Sequence, residues 1–380
     1  MLDLPPLARF GDRVATGLLD VTGDPAALDS AGFWAVCADF EGRLTCARFA
    51  DVREEPVPAP VPGAWRGPAV ADWTSSLDRA AYTAGVRRIR EHIAAGEVYQ
   101  ANLCRVLSAP VPPGADVDAL TALLARGNPA PYAGTIRLPG HGVEIATASP
   151  ELFLRRAGRV VESGPIKGTG RTEADLLDKD YAENVMIVDL VRNDIGRVCA
   201  TGSVTVPDLC AVEKHPGLVH LVSTVRGELR DDAGWPALLD AAFPPGSVTG
   251  APKSSALWII DALETAPRGP YCGGIGWVDA DRGTGELAVG IRTFWIDRTP
   301  GDTALLRFGT GAGITWGSDP EAEWAETELK ASRLLAIASG TYEVSEQPLG
   351  CDAGPGDAVS GNASGAGRTP GRLEAPGTDR

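Results

Sequence analysis

The sequence predicts a mixed α/β protein, and three observations carry that prediction. Short apolar runs bounded by Gly, Pro, Asn or Asp recur along the chain and read as strands. Longer stretches between them place apolar residues at helical spacing. With 380 residues, 44% of them hydrophobic, the chain has enough apolar surface for a sizeable core in one large domain or two.

Residues 14–19, 32–38 and 44–49 read as strands, punctuated by Asp24-Pro25 and Glu41-Gly42. The alternating prolines from Pro56 to Pro62 cannot join a central ladder, so this stretch is an extended connector. Residues 1–75 are expected to belong to the same globule as a catalytic region over 76–345. A helix is predicted over 75–95: Ser75 and Asp78 resemble a capping box, Tyr82, Val86, Ile89 and Ile93 share a face, and Gly96 supplies the stop. The next strand, 98–107, puts Gln100 and Asn102 on one face.

Strands follow at 133–138, 143–148, 151–155 and 160–163. A second long helix is predicted over 175–191, with Leu177, Tyr181, Val185 and Val188 on one side. Strands at 203–206 and 218–227, helices at 235–243 and 252–264, and strands at 274–278, 287–294 and 305–309 complete the middle. Asp319-Pro320-Glu321 opens the last helix, which runs to about 338: a capping aspartate, a first-turn proline and an acid at the positive dipole end. Residues 350–380 carry almost no large apolar side chains and are expected to be disordered.

Fifty acidic against 35 basic residues leave a formal charge of −15, which argues against nucleic-acid or anionic-membrane partners. A small anionic substrate then needs a local cluster of cations or a divalent metal. Seven scattered cysteines without a CxxC pair read as reduced thiols of a cytoplasmic protein. The first residues lack the basic and apolar regions of a signal peptide, and no run is long enough for a membrane span.

Gly164-Pro165-Ile166-Lys167-Gly168-Thr169-Gly170-Arg171 sets a lysine between a proline and a glycine-rich turn. Lys167 is then either a solvated surface residue or an amine held in a dry pocket, where its pKa falls and it becomes a nucleophile or base. Glu323, Glu326 and Lys330 fall on one face of the last helix, and Asp180 and Glu183 repeat the pair of acids on the second. Such pairs are either solvated stripes or a Mg²⁺ site shared by two helices. Glu151 is either a surface glutamate or a general acid with raised pKa. Gly309-Thr310-Gly311-Ala312-Gly313 is a turn, plain or holding a carboxylate on its N–H groups. Arg292, late in a predicted strand, pairs with a carboxylate of the substrate or of the protein. His220 faces a pocket or is a polar core residue.

Taken together these runs resemble the chorismate-utilising enzymes, among them anthranilate synthase component I, aminodeoxychorismate synthase component I and the isochorismate and salicylate synthases. The match is carried by Tyr99-Gln100-Ala101-Asn102-Leu103, Ser149-Pro150-Glu151-Leu152-Phe153, Pro165-Ile166-Lys167-Gly168-Thr169 and Ala182-Glu183-Asn184-Val185-Met186. It continues through Arg192-Asn193-Asp194-Ile195-Gly196-Arg197, His220-Leu221-Val222-Ser223-Thr224, Gly246-Ser247-Val248-Thr249-Gly250-Ala251-Pro252-Lys253, Ile291-Arg292-Thr293 and 323–330, in family order. The anthranilate-forming members have Pro-Ile-Ala-Gly-Thr where this chain has Lys167. The isochorismate and salicylate enzymes have a lysine, a base for water, where this chain has Gln100. Both departures resemble the aminodeoxychorismate-forming branch.

The resemblance implies a single α/β domain in which two antiparallel sheets face each other with helices outside. It implies Mg²⁺ held by Glu183 and Glu326 with Glu323 and Asp180, and a pyruvyl carboxylate held by Arg292, Tyr271, Gly311 and Gly313 near Lys330 and Thr249. Glu151, assisted by His220, protonates the departing C4 hydroxyl of chorismate, Lys167 forms a covalent adduct, and ammonia replaces it. No amidotransferase motif is present, so ammonia comes free or from a separate glutamine amidotransferase subunit, and a separate lyase would carry the product to 4-aminobenzoate, toward folate. Anthranilate synthase component I and a non-catalytic chorismate-binding partner of a glutaminase are the alternatives.

Overall fold

Hydrogen-bonding demand shapes the molecule: backbone groups of a buried strand need partners, and here the strands join one long antiparallel ladder. The structure is a computed structural model that describes residues 4–342, apart from 171, 216–217 and 299–302. The residues expected to be disordered, 350–380, and Arg171 of the lysine stretch lie outside the described residues. All described residues fall in one compact unit, Met1–Glu343.

The N-terminal strands are β1 (Leu7–Phe10), β2 (Arg13–Thr22), β3 (Phe33–Ala38) and β4 (Leu44–Glu54). After the proline-rich connector come β5 (Thr74–Ser75), α1 (Arg79–Ala94), β6 (Gln100–Pro110) and α2 (Val117–Gly127). Then follow β7 (Tyr132–Leu138), β8 (Val143–Ser149), β9 (Leu152–Ala157), β10 (Val160–Gly164), β11 (Ile166–Gly170) and α3 (Asp178–Gly196). The rest comprises β12 (Thr205–His215), β13 (Leu218–Glu228), α4 (Trp235–Ala242), β14 (Gly250–Ala251), α5 (Lys253–Leu263), β15 (Gly274–Asp279), β16 (Thr284–Val289), β17 (Thr293–Asp297), β18 (Leu305–Ile314) and α6 (Pro320–Ala338).

From β6 the ladder passes through β18, β17, β8, β7, β1, β2, β4, β3, β15, β16, β9 and β10 to β13. Short β5 and β14 add to the free side of β6, β11 continues the line of β10 along β13, and β12 closes the other side of β13. The class predicted from sequence is therefore right, with one refinement: the facing layers are arms of one ladder. Their side chains share an interior that includes Val106, Ile145 and Trp295 from one arm and Phe33, Phe153 and Ile275 from the other. Helices cover the outside. α2 and α6 bury Leu120, Leu124, Leu334 and Ile337 against Phe294 and Phe308, while α1 and α5 bury Tyr82, Val86, Ile89 and Ile259 against Leu103 and Ile314. Burying each such side chain fully contributes about 1.5–3 kcal/mol.

Several local expectations are corrected. Ser75 belongs to β5, and α1 is capped by Asp78 alone, whose carboxylate accepts from the Ala81 N–H at 2.8 Å. α2, absent from the elements expected from sequence, is short and capped by Asp116. On α3 the inner face is Asn184, Ile187, Val188, Val191 and Ile195; Leu177, Tyr181 and Val185 are 53%, 36% and 43% exposed. The stripe over 287–294 is two strands, because the chain breaks between β16 and β17 and Arg292 there takes a φ of +52°. Residues 309–313 are not a turn: they continue β18 and pair with 102–106 of β6.

Candidate active site

Lys167 lies on a bulged strand, where a glycine-rich turn is expected from the sequence. β11 pairs Ile166 with Val222 and Thr169 with His220, and the register shifts between them. Gly168 makes the bulge possible with a φ of +78°. A Cβ at that position would fall 2.9 Å from the Asp180 side chain and 3.2 Å from that of Leu176, so α3 presses directly on the bulge. Freed from the ladder, Lys167 sends its Nζ to the Ser247 carbonyl at 3.2 Å. Burial lowers its pKa; Glu183, Glu151 and Glu326 pull against that shift, and Lys330 adds to it.

Glu151 occupies the tight link between β8 and β9 and is 4% exposed. Its N–H donates to Ser149 Oγ at 3.2 Å and its carbonyl accepts from the Val289 N–H at 3.0 Å, so the backbone is held from both sides. Leu152, Phe153, Val191, Ile195, Ala242 and Val289 share a small cavity with it. Burial pushes the carboxyl up to about 7, against the Ser247 side chain, the Lys167 charge and the Ile166 N–H, which favour the ionised form. His220 is buried on β13, in register with Thr169 on one side and Glu213 on the other.

Two helices bring the remaining acids. On α3, Asp180 caps the helix start by accepting from the Leu177 N–H at 2.9 Å. Burial raises Glu183, Lys167 and Lys179 lower it, and Asp180 and Glu326 raise it again; the balance is upward. On α6, burial also raises Glu323, helped by Glu326 and opposed by the Ser318 hydroxyl, Lys330 and Lys179. Glu326 ends below the usual range: burial pushes it up, but Lys330 at 2.6 Å, with Lys179 and Lys167, outweighs that. Glu183 and Glu326 thus act on each other from different helices across one space.

Among the described residues, no three metal-binding side chains converge as a closed protein cage requires. Mg²⁺ does not ask for one: it takes one or two carboxylates and fills its other positions with water and substrate oxygens. Carboxylate oxygens offered from α3 and α6, with Glu326 close enough to Glu183 to raise its pKa, fit that use, since a bound cation would favour the ionised form that burial and mutual repulsion disfavour.

The other expected ligand-binding residues form a neighbouring wall. Arg292 is half-buried; burial lowers its pKa and the Arg333 charge adds to the shift, and it has no acidic partner among the described residues. Its carbonyl accepts from the Ala148 N–H at 3.0 Å, which fixes the strand break beside the Glu151 link. Tyr271 is buried with its ring over Gly309, where a Cβ would fall 2.1 Å from the ring. Gly311 and Gly313 pair with Cys104 and Asn102, and Lys330 Nζ donates to the Gly311 carbonyl at 3.0 Å, joining this wall to the acids. The Thr249 hydroxyl is buried and bonded to the carbonyls of its own loop, Pro245 at 3.1 Å and Gly246 at 3.2 Å. Gln100 is fully buried, its amide nitrogen 3.4 Å from Asn102 Oδ1 and its oxygen without a partner among the described residues.

Sequence reasoning gave no role to Ser247, whose carbonyl takes Lys167 and whose hydroxyl reaches Glu151. It also missed Lys179, which acts on Glu183, Glu323 and Glu326, and Arg333 beside Arg292. Helical spacing was the available signal: Lys179 lies four residues before Glu183, and Arg333 three after Lys330. For Ser247 nothing local distinguishes it from its loop neighbours.

Residues 36–336 match the family described as chorismate binding enzyme. The chain is 39% identical over 285 residues to an anthranilate synthase component 1 of Haloarcula marismortui, covering 70% of this chain and 55% of that protein. It is 40% identical over 275 residues to the aminodeoxychorismate synthase component 1 of Salmonella typhimurium, covering 69% and 58%. The chain therefore spans little more than half the length of these relatives. The crystal structure of a 2,3-dihydroxybenzoate-specific isochorismate synthase from Bacillus anthracis superposes with a TM-score of 0.74 at 24% identity, over 89% of this chain and 97% of that one, a likeness of fold.

Proposed function

From the premise that this chain belongs to the chorismate-binding enzyme family, we propose that it acts as the aminodeoxychorismate synthase component I type of that family. The reaction replaces the C4 hydroxyl of chorismate by an amine and gives 4-amino-4-deoxychorismate, with ammonia free or from a separate glutamine amidotransferase subunit. The observation that carries the reading is Lys167: a half-buried amine with lowered pKa, directed to Ser247 and set between Glu151 and the acids of α3 and α6.

In this mechanism Lys167 attacks C2 of the ring. The two ring double bonds shift so that the C4–O bond breaks, and Glu151, near half-protonated at neutral pH, gives its proton to the leaving hydroxyl, which departs as water. His220 assists at that end. Ammonia then adds at C4, the double bonds shift back, and Lys167 leaves C2 as the free amine. Pyruvate stays attached throughout. Arg292, Tyr271, Gly311 and Gly313 hold the pyruvyl carboxylate, with Lys330 and Thr249 beside them. Glu183 and Glu326, with Glu323 and Asp180, would hold Mg²⁺, which when bound supplies positive charge for the ring carboxylate.

The same-class alternative is anthranilate formation, because relatives of both names match at about 40% identity. Incubation of the protein with chorismate, Mg²⁺ and an ammonium salt, followed by mass analysis, separates the two. The expected product retains the pyruvyl ether and gives 4-aminobenzoate only when a lyase is added. Fluorescent anthranilate without a lyase overturns the choice.

A further inference from the structure

Of the segments that the proposed reaction uses around the pyruvyl carboxylate, those of Tyr271, Thr249 and Gly311–Gly313 are tied together by one side chain outside the site. Arg268 is 1% exposed. Its guanidinium makes two bonds to Glu264, at 2.8 and 2.6 Å, one to the Val248 carbonyl at 2.9 Å and one to the Asn102 carbonyl at 3.2 Å. Val248 immediately precedes Thr249, and Thr249 O accepts from the Asn102 N–H at 2.8 Å. Asn102 pairs with Gly313, and Cys104, whose N–H donates to Glu264 at 2.8 Å, pairs with Gly311. The Arg268 carbonyl accepts from the Tyr271 N–H at 3.2 Å.

The N-terminal part of the chain grips this hub. Phe40 lies under the guanidinium, 4.2 Å from its ring centroid. The exposed Glu41, in the hairpin between β3 and β4, accepts the N–H groups of Arg268 and Gly269 at 2.7 and 3.0 Å. The Phe40 N–H donates to Gly269 O at 2.8 Å. A buried ion pair is a weak source of net stability, because desolvation offsets most of the attraction. Its fixed fork geometry is better suited to setting the relative position of segments.

We propose that Arg268, clamped from the N-terminal hairpin by Glu41, is a positioning residue that sets the carboxylate-binding wall formed by Tyr271, Thr249, Gly311 and Gly313. The inference rests on the functional reading above and extends it to residues that touch no substrate. Small displacements of binding groups carry large kinetic penalties, so loss of the clamp acts on substrate affinity first.

Glu41→Gln and Arg268→Lys, with chorismate and ammonium varied separately, test it. Glu41 is at the surface, and circular dichroism of its variant checks the folded fraction. The KM for chorismate is expected to rise about threefold in Glu41→Gln and about tenfold in Arg268→Lys, with the KM for ammonium unchanged. A merely structural role would lower kcat with the folded fraction, read by circular dichroism, and move neither KM; an unchanged chorismate KM in both variants overturns the inference alone. A shifted KM with anthranilate as product supports the inference and overturns the choice of reaction. Wild-type protein that fails to bind chorismate in calorimetry overturns both.

Discussion

Glu151 and Glu326 are the same side chain at two ends of one site, and their proton affinities move in opposite directions. Glu151 sits in a buried link lined mainly by apolar side chains, and burial carries it to about 7. Glu326 stands on an open helix face, where burial also pushes upward but Lys330, Lys179 and Lys167 win. The dry end is suited to passing protons and the open end to holding charge. Enzymes separate roles in this way by environment, with one residue type serving both.

Removing the amine that lies between the two ends should have the largest effect. Lys167→Ala is expected to lower turnover by at least about 10³-fold, while chorismate binding with Mg²⁺, measured calorimetrically, stays within a few-fold. Turnover near wild type would exclude a covalent adduct.

Glu151→Gln breaks the dry end alone, with an expected loss of about 10²–10⁴-fold. It also carries a pH signature. Between pH 4.5, the ordinary value, and about 7, the folded protein keeps a proton on Glu151 that the unfolded chain has released. The stabilisation from this group is therefore fully present below the unfolded pKa and is lost as pH rises through the folded one, a change of about 3 kcal/mol. Thermal melts from pH 4 to 8 should decline less steeply for Glu151→Gln than for wild type; parallel curves would show that burial does not raise this carboxyl.

The smallest effect is expected at the solvent-exposed part of β9 and β16, where Arg155 bonds Glu286 at 3.0 and 2.8 Å with its side chain 44% exposed. Water screens this pair, so Arg155→Ala should cost about 1 kcal/mol or less in denaturant unfolding and leave kcat/KM unchanged. A large kinetic loss there would blur the distinction between buried and exposed charge drawn above.

Legibility in the sequence followed the range of the interaction. α6 could be read almost to the residue, because Asp319, Pro320 and the acids of its first turn act within a few positions. The acids on α3 could be read from spacing as well. Its buried face could not: Leu177, Tyr181 and Val185 look like a core stripe, and α3 instead packs Asn184, Ile187 and Val191 inward onto β11, β12 and β13. Gly311 and Gly313 look like a turn because glycine runs usually are; they stay extended because β6 supplies a ladder partner two hundred residues earlier in the chain.

By itself the sequence determined which chemical groups are available and in what local frame: an amine flanked by proline and glycine, acids at i and i+3 on two helices, and a glutamate between two strands. Those follow from covalent order and from hydrogen bonds a few residues long. Only the tertiary structure decided that these groups meet, that the chain breaks at Arg292, and that burial lifts Glu151 to about 7 and lowers Lys167. Strand pairing and burial are settled by partners far away in the chain, and desolvation has no local signature.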